Sequence, residues 1–155
     1  SPRSSLMPDG KLTLARDART PGKTLAKLAG HKNWSVRADV ANHPRTPGKT
    51  LSKLAEDKRW EVRTEVALNP NASSKVLALM AGDDHAAVRT AVALNLSTPG
   101  SALRRLARDK VATVRLRVAE NPNAPTGVVR KLTADHDDEV RRAAQENHRT
   151  PKKVK

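Results

Sequence analysis

Apolar residues recur along this chain in short pairs. Leu25 and Leu28 stand three apart, Val36 and Val40 four apart, and the same two pairs return every 26 residues. Spacings of three and four place side chains on one face of a helix, so each 26-residue unit predicts two short helices joined by a turn. The columns are long: Leu25, Leu51, Leu77, Leu103 and Val129; Leu28, Leu54, Met80, Leu106 and Leu132; Val36, Val62, Val88, Val114 and Val140. Repetition on this scale means tandem duplication. Neither helix is long enough to stand alone in water, so the apolar rows must be buried by stacking each unit on the next.

Polar punctuation keeps the same step. Pro21, Pro47, Pro99, Pro125 and Pro151 mark the start of the first helix, with Ser73 in the one gap. A hydroxyl precedes several of these prolines, as in Thr20-Pro21 and Thr46-Pro47, and predicts an N-cap with proline at the first helical position. Asn-Pro at Asn69-Pro70 and Asn121-Pro122 ends the second helix, because a residue before proline avoids the α region. The expected organisation is a tail and capping half-repeat over 1–20, five repeats over 21–150, and the start of a sixth over 151–155. Within the first part, residues 10–20 align with a second helix and place Leu14 in the Val40 column.

A long stretch, AVALNLSTPGSALRRLARDKVATVRLRVAENPNAPTGVVRKLTAD, spans 91–135 and carries the units' shared order of Asn-Pro, Leu-Ala, Asp and Val-Arg. It resembles the leucine-rich repeat variant family, and the likeness extends over about residues 20–155. The resemblance implies an all-α, right-handed solenoid of five two-helix repeats, alternating α and 3₁₀ helices and related in shape to HEAT-type repeats. It says little about activity and implies no cofactor.

Composition narrows the chemistry. The 155 residues contain no Cys, Phe or Tyr and only Trp34 and Trp60, which excludes disulfides, thiolate metal sites and a deep aromatic core. The five His show no metal-ligand spacing, and no nucleophile triad, glycine-rich phosphate loop or paired catalytic carboxylates fall at matching positions. The expectation is a protein that is not an enzyme, without catalytic residues, metal or cofactor, and with no small-molecule substrate. No apolar run reaches the length of a membrane span, which points to a cytoplasmic protein, nucleoid-associated if it binds DNA.

Several columns have both a structural and a functional reading. Arg37, Arg63, Arg89, Arg115 and Arg141 follow turn residues Asp57, Asp83, Asp109 and Asp135 such that each Arg can reach an Asp of its own or the next unit, with His31 in the first Asp position leaving Arg37 freer. Asn69, Asn95, Asn121 and Asn147, with His43 as a divergent first member, suit turn backbone. Trp34 and Trp60 either staple the start of the second helix or stack on a base.

Charge changes the picture most. Lys and Arg number 30 against 16 Asp and Glu, for a net charge of +14. The first-helix segments, 21–29 and its equivalents, contain Lys23, Lys27, Lys49, Lys53, Lys75, Arg104, Arg105, Arg130 and Lys131 and no acid, while the rest of the five units holds 14 basic and 14 acidic residues. Aligned first helices would merge these cations, together with Lys152 and Lys153, into a stripe about 45 Å long at the usual helix spacing. Such a stripe suits the phosphate backbone of nucleic acid, DNA rather than RNA, read without sequence preference. The alternative is a scaffold that takes an acidic protein or peptide.

Overall fold

The computed structural model describes residues 10–149, and among these it contains eleven α-helices and no strand. They are α1 (Lys11–Arg16), α2 (Gly22–Leu28), α3 (Trp34–Asn42), α4 (Gly48–Leu54), α5 (Trp60–Leu68), α6 (Ser74–Met80), α7 (Ala86–Leu94), α8 (Gly100–Leu106), α9 (Ala112–Glu120), α10 (Thr126–Leu132) and α11 (Asp138–Arg149). The chain divides into two compact units, Ser1–Val76 and Leu77–Lys155, with the division inside α6.

In the first unit α1 packs on α3 and α3 on α5, while α2 and α4 each cover the second helix of their own repeat. In the second unit α7, α9 and α11 stack likewise, with α8 and α10 set against them. Every member of the Leu25 column is at most 1% exposed, and Val36, Val62, Val88, Val114 and Val140 are wholly enclosed. Each such side chain contributes about 1.5–3 kcal/mol through burial. This interior of Leu, Val and Ala holds helices of seven and nine residues that would not persist alone.

Both helix types are α, whereas the family resemblance implied alternation with 3₁₀. Tighter i→i−3 bonds appear at helix ends, as at the exit from the first helix, where Gly30 N donates to Lys27 O and His31 N to Leu28 O, and at the end of the second, where His43 N donates to Val40 O. Bonds of this i→i−3 kind satisfy carbonyls that a helix end would leave unpaired.

The start of the first helix also differs from the expected cap. Pro21 is extended at φ −66°, ψ 151° and is itself the N-cap, its carbonyl accepting from Leu25 N, so the helix begins at Gly22. The hydroxyls of Thr20, Thr46 and Thr98 turn the other way and donate to Leu14 O, Val40 O and Val92 O at 2.5–2.6 Å. At Val40 the residue four positions on is Pro44, which has no N–H to give, and the hydroxyl joins His43 N on that carbonyl. The threonine closes the preceding helix instead of opening its own.

The proline column has a second use. A Cβ built on Gly22 would lie 3.2 Å from Pro47 Cγ, and one on Gly100 would lie 3.1 Å from Pro125 Cγ, so consecutive first helices touch where glycine meets proline. Gly48 precedes the one repeat in which Ser73 stands in the proline column, and a Cβ on it would meet nothing within 4 Å. Gly48→Ala is therefore expected to raise stability by about 0.4–1 kcal/mol through the unfolded chain. At Gly22→Ala the crowding cancels or reverses that gain, and urea denaturation of the two variants side by side measures the difference.

Candidate functional site

The nine first-helix cations all stand in solvent. Lys23 and Lys27 lie on α2, Lys49 and Lys53 on α4, and Lys75 on α6 in the first unit; Arg104 and Arg105 lie on α8, and Arg130 and Lys131 on α10, in the second. Counted from the proline, the first-unit lysines occupy the second and sixth positions and the second-unit cations the fifth and sixth. Those three positions share one helix face. Among the described residues none of the nine forms an ion pair or a side-chain hydrogen bond. Lys152 and Lys153 fall outside the described residues.

Arg105 is held close to backbone. A Cβ on Gly82 would lie 2.8 Å from both terminal nitrogens of Arg105, so the guanidinium rests on the turn at Gly82 because no side chain is there.

The column arginines play a different part. Arg37 donates to both carboxylate oxygens of Asp57 at 2.7 and 3.2 Å, Arg89 to those of Asp109 at 2.7 and 3.2 Å, and Arg115 to those of Asp135 at 2.9 and 3.2 Å. Each pair joins one repeat to the next. The remaining guanidinium nitrogen turns back to its own repeat, as Arg89 Nη1 does to Asp83 O at 2.8 Å. Each aspartate also accepts from the backbone N–H two residues on, at Arg59, Val111 and Asp137. Arg37 is thus not freer than the others, because its ion-pair partner is the aspartate of the following repeat and His31 still accepts from Nη1 through its carbonyl. At the other end Arg141 donates to Asp135 O and pairs with Asp138 on its own helix.

These bonds set the acid response. Burial pushes the Asp57, Asp109 and Asp135 carboxyls up, but the arginine beside each and the turn N–H outweigh it and hold them below the ordinary range. A depressed folded value contributes stability above the unfolded aspartate pKa, and that stability is lost as pH falls through the folded value. Glu65 has the opposite sign: burial, opposed by the Asn42 hydrogen bond and helped by the charge of Asp39, raises it. Its contribution is present below the unfolded glutamate value and is lost as pH rises through the folded one. The melting temperature is expected to drop steeply below about pH 4, less so in Asp109→Asn, while Glu65→Gln keeps the acid limb and gains stability near neutrality. Thermal melts followed by circular dichroism across pH measure all three curves.

A second ladder runs through the asparagines. Asn69 Nδ2 donates to Ala41 O and His43 O, Asn121 to Ala93 O and Asn95 O, and Asn147 to Ala119 O and Asn121 O. Asn69 and Asn121 also accept, at Oδ1, the backbone N–H two residues on. His43 reproduces both bonds with a ring: Nδ1 accepts from Arg45 N at 2.9 Å, which leaves Nε2 as the donor to Asp17 O at 2.7 Å. His31 substitutes for aspartate in the same manner, Nδ1 accepting from Asn33 N at 3.0 Å.

Trp34 is about a third exposed, and Arg59 of the following repeat sits over its ring at 4.6 Å from the centroid. The cation covers the face a base would need. Among the described residues no helix is long and apolar enough to cross a membrane, and no group of three or more His, Asp or Glu could hold a metal ion.

The sequence reading missed Arg108. It belongs to a segment group whose charges sum to zero, yet the aspartate after it, Asp109, is bound to Arg89, and Arg108 forms no ion pair among the described residues. Removing ladder acids from the count would have exposed it.

Two-helix layers joined by internal Arg–Asp and Asn ladders, with unpaired cations on the outer side of one helix type, define an all-α tandem-repeat scaffold of the solenoid class. Residues 60–85 and 86–110 match the leucine rich repeat variant family in two consecutive units. Two of the repeats, over 60–110, thus carry the pattern of that family. A solved leucine-rich repeat variant, described as having a novel repetitive structural motif, is 30% identical with a TM-score of 0.71, covering 92% of this chain and 56% of that one. The chain therefore spans just over half of that relative. Two crystal structures of engineered proteins share the fold alone: one at 18% identity and TM-score 0.53 covers 90% of this chain and 87% of its own, the other at 19% and 0.55 covers 92% and 54%. No curated protein matches the chain.

Proposed function

We propose that this protein is a non-enzymatic scaffold that binds nucleic acid, duplex DNA above single strands, through the phosphate backbone. The observation that carries the reading is the set of nine exposed cations on first-helix segments that contain no acid, none of them in an ion pair among the described residues. Lys23 with Lys27 and Lys49 with Lys53 are spaced one helical turn apart, and the two helices abut where Gly22 meets Pro47. Cations so placed can each release a counterion from a phosphate without reading a base. Two tryptophans, one of them covered by Arg59, leave little for base stacking, which favours the duplex.

With about four phosphate contacts, affinity for a labelled duplex should fall on the order of a hundredfold between 50 and 200 mM salt. Changing Lys23, Lys27, Lys49 and Lys53 together to Glu should abolish most of that binding and flatten the salt slope. Reversing Lys32 and Lys58, exposed cations at the inter-helix turns, should cost much less. Fluorescence anisotropy at the two salt concentrations measures each. No duplex binding at the lower one overturns the reading, and a protein partner retained after nuclease treatment would favour the scaffold for an acidic partner.

A further inference from the structure

Between α8 and α10, wholly within the second unit, lies a groove of about 380 Å³ that the phosphate reading does not require. Arg104, Arg108 and Lys131 line its rim, while Val128, Leu132 and Pro125 give it an apolar side. Asp135 also reaches it, but both its carboxylate oxygens are taken by Arg115 at 2.9 and 3.2 Å, so its charge is already matched. Among the described residues the three rim cations form no ion pair, which leaves the groove strongly positive.

We propose that this groove, which shares Arg104 and Lys131 with the first-helix cations, is a site for an extended acidic peptide whose carboxylates flank an apolar side chain. Two features select that occupant. Arginine presents a planar fork that matches a carboxylate with two parallel hydrogen bonds, where the exposed lysines of the first unit offer only point charges. A concave apolar wall gains from an apolar side chain that displaces water from it, and a DNA backbone has no such group to insert. Gly127 borders the groove, and a Cβ there would meet no protein atom within 4 Å, so a larger side chain would project into the groove without disturbing the packing beneath.

Gly127→Leu therefore separates shape from charge. The probe is a fluorescein-labelled peptide of roughly ten residues with glutamates on both sides of a central leucine, measured by anisotropy at low salt beside a labelled DNA duplex. The unaltered protein is expected to bind this peptide about fivefold or more tightly than an all-glutamate peptide of the same length. Gly127→Leu should weaken the leucine-containing peptide about tenfold while leaving duplex affinity and the melting temperature in place, and Arg108→Glu should weaken it by a similar factor. Equal binding of both peptides, no response to Gly127→Leu, or an equal loss of duplex and peptide affinity in that variant would each overturn the assignment. Because the peptide and duplex arms are read separately, failure of one leaves the other standing.

Discussion

Arg89→Ala is expected to lower stability by about 3–5 kcal/mol. The Arg89 and Asp109 side chains are only 11% and 9% exposed, so truncating the arginine leaves a carboxylate out of water with a single turn N–H for company. Two backbone carbonyls, at Asp83 and Asp84, lose their donor as well. Asp109→Ala should do comparable damage by stranding the guanidinium. The double variant Arg89→Met, Asp109→Leu should cost less than either single change, because no uncompensated charge remains. Arg16 and Asp39 give the control: their pair, at 2.8 Å, has an arginine 57% exposed. Arg16→Ala should cost about 0–1 kcal/mol. Urea denaturation ranks the four variants, and an Arg89→Ala loss no larger than that of Arg16→Ala would refute a stabilising ladder.

Asn121→Ala should cost about 2–4 kcal/mol, since it takes a partner from three backbone groups at once, two of them in buried hydrogen bonds. Asn121 is 3% exposed; its amide donates to Ala93 O at 2.8 Å and Asn95 O at 3.3 Å and accepts from Asn123 N at 2.8 Å. The histidine already present at position 43 supplies an internal rescue. Asn121→His should recover a good part of the loss, because His43 meets the same kind of donor and acceptor in the first repeat. Asn121→Asp should not, as it turns a carboxylate oxygen toward two carbonyls. If alanine, histidine and aspartate prove equally harmful, the column serves shape and not hydrogen bonding. The loss should be felt beyond one layer, since each repeat contacts only its neighbours and stability passes through those interfaces.

The two ladders divide the polar residues of this protein into those that hold it together and those that remain available. Arg37, Arg89 and Arg115 are spent inside the stack, each on an aspartate of the next repeat. Outside remain the first-helix cations and Arg108, along with scattered turn lysines such as Lys32 and Lys58. A net charge of +14 thus understates the contrast between a neutralised interior and an uncompensated surface.

The sequence by itself determined the 26-residue period, the two helices of each unit, the Leu and Val columns that fill the core, and the acid-free first helices. These are legible because they depend on local spacing, and tandem duplication repeats the signal five times over. The structural part of the Arg, Asp and Asn columns was legible for the same reason. Only tertiary structure decided that Arg37, Arg89 and Arg115 take the aspartate 20 residues ahead, that threonine hydroxyls close the previous helix, and that Arg108 joins Arg104 and Lys131 at one groove. Those outcomes depend on the offset and rotation between one layer and the next. That relation is set by how side chains such as Pro47 against Gly22 and Pro125 against Gly100 pack across the step, and the period of the sequence does not contain it.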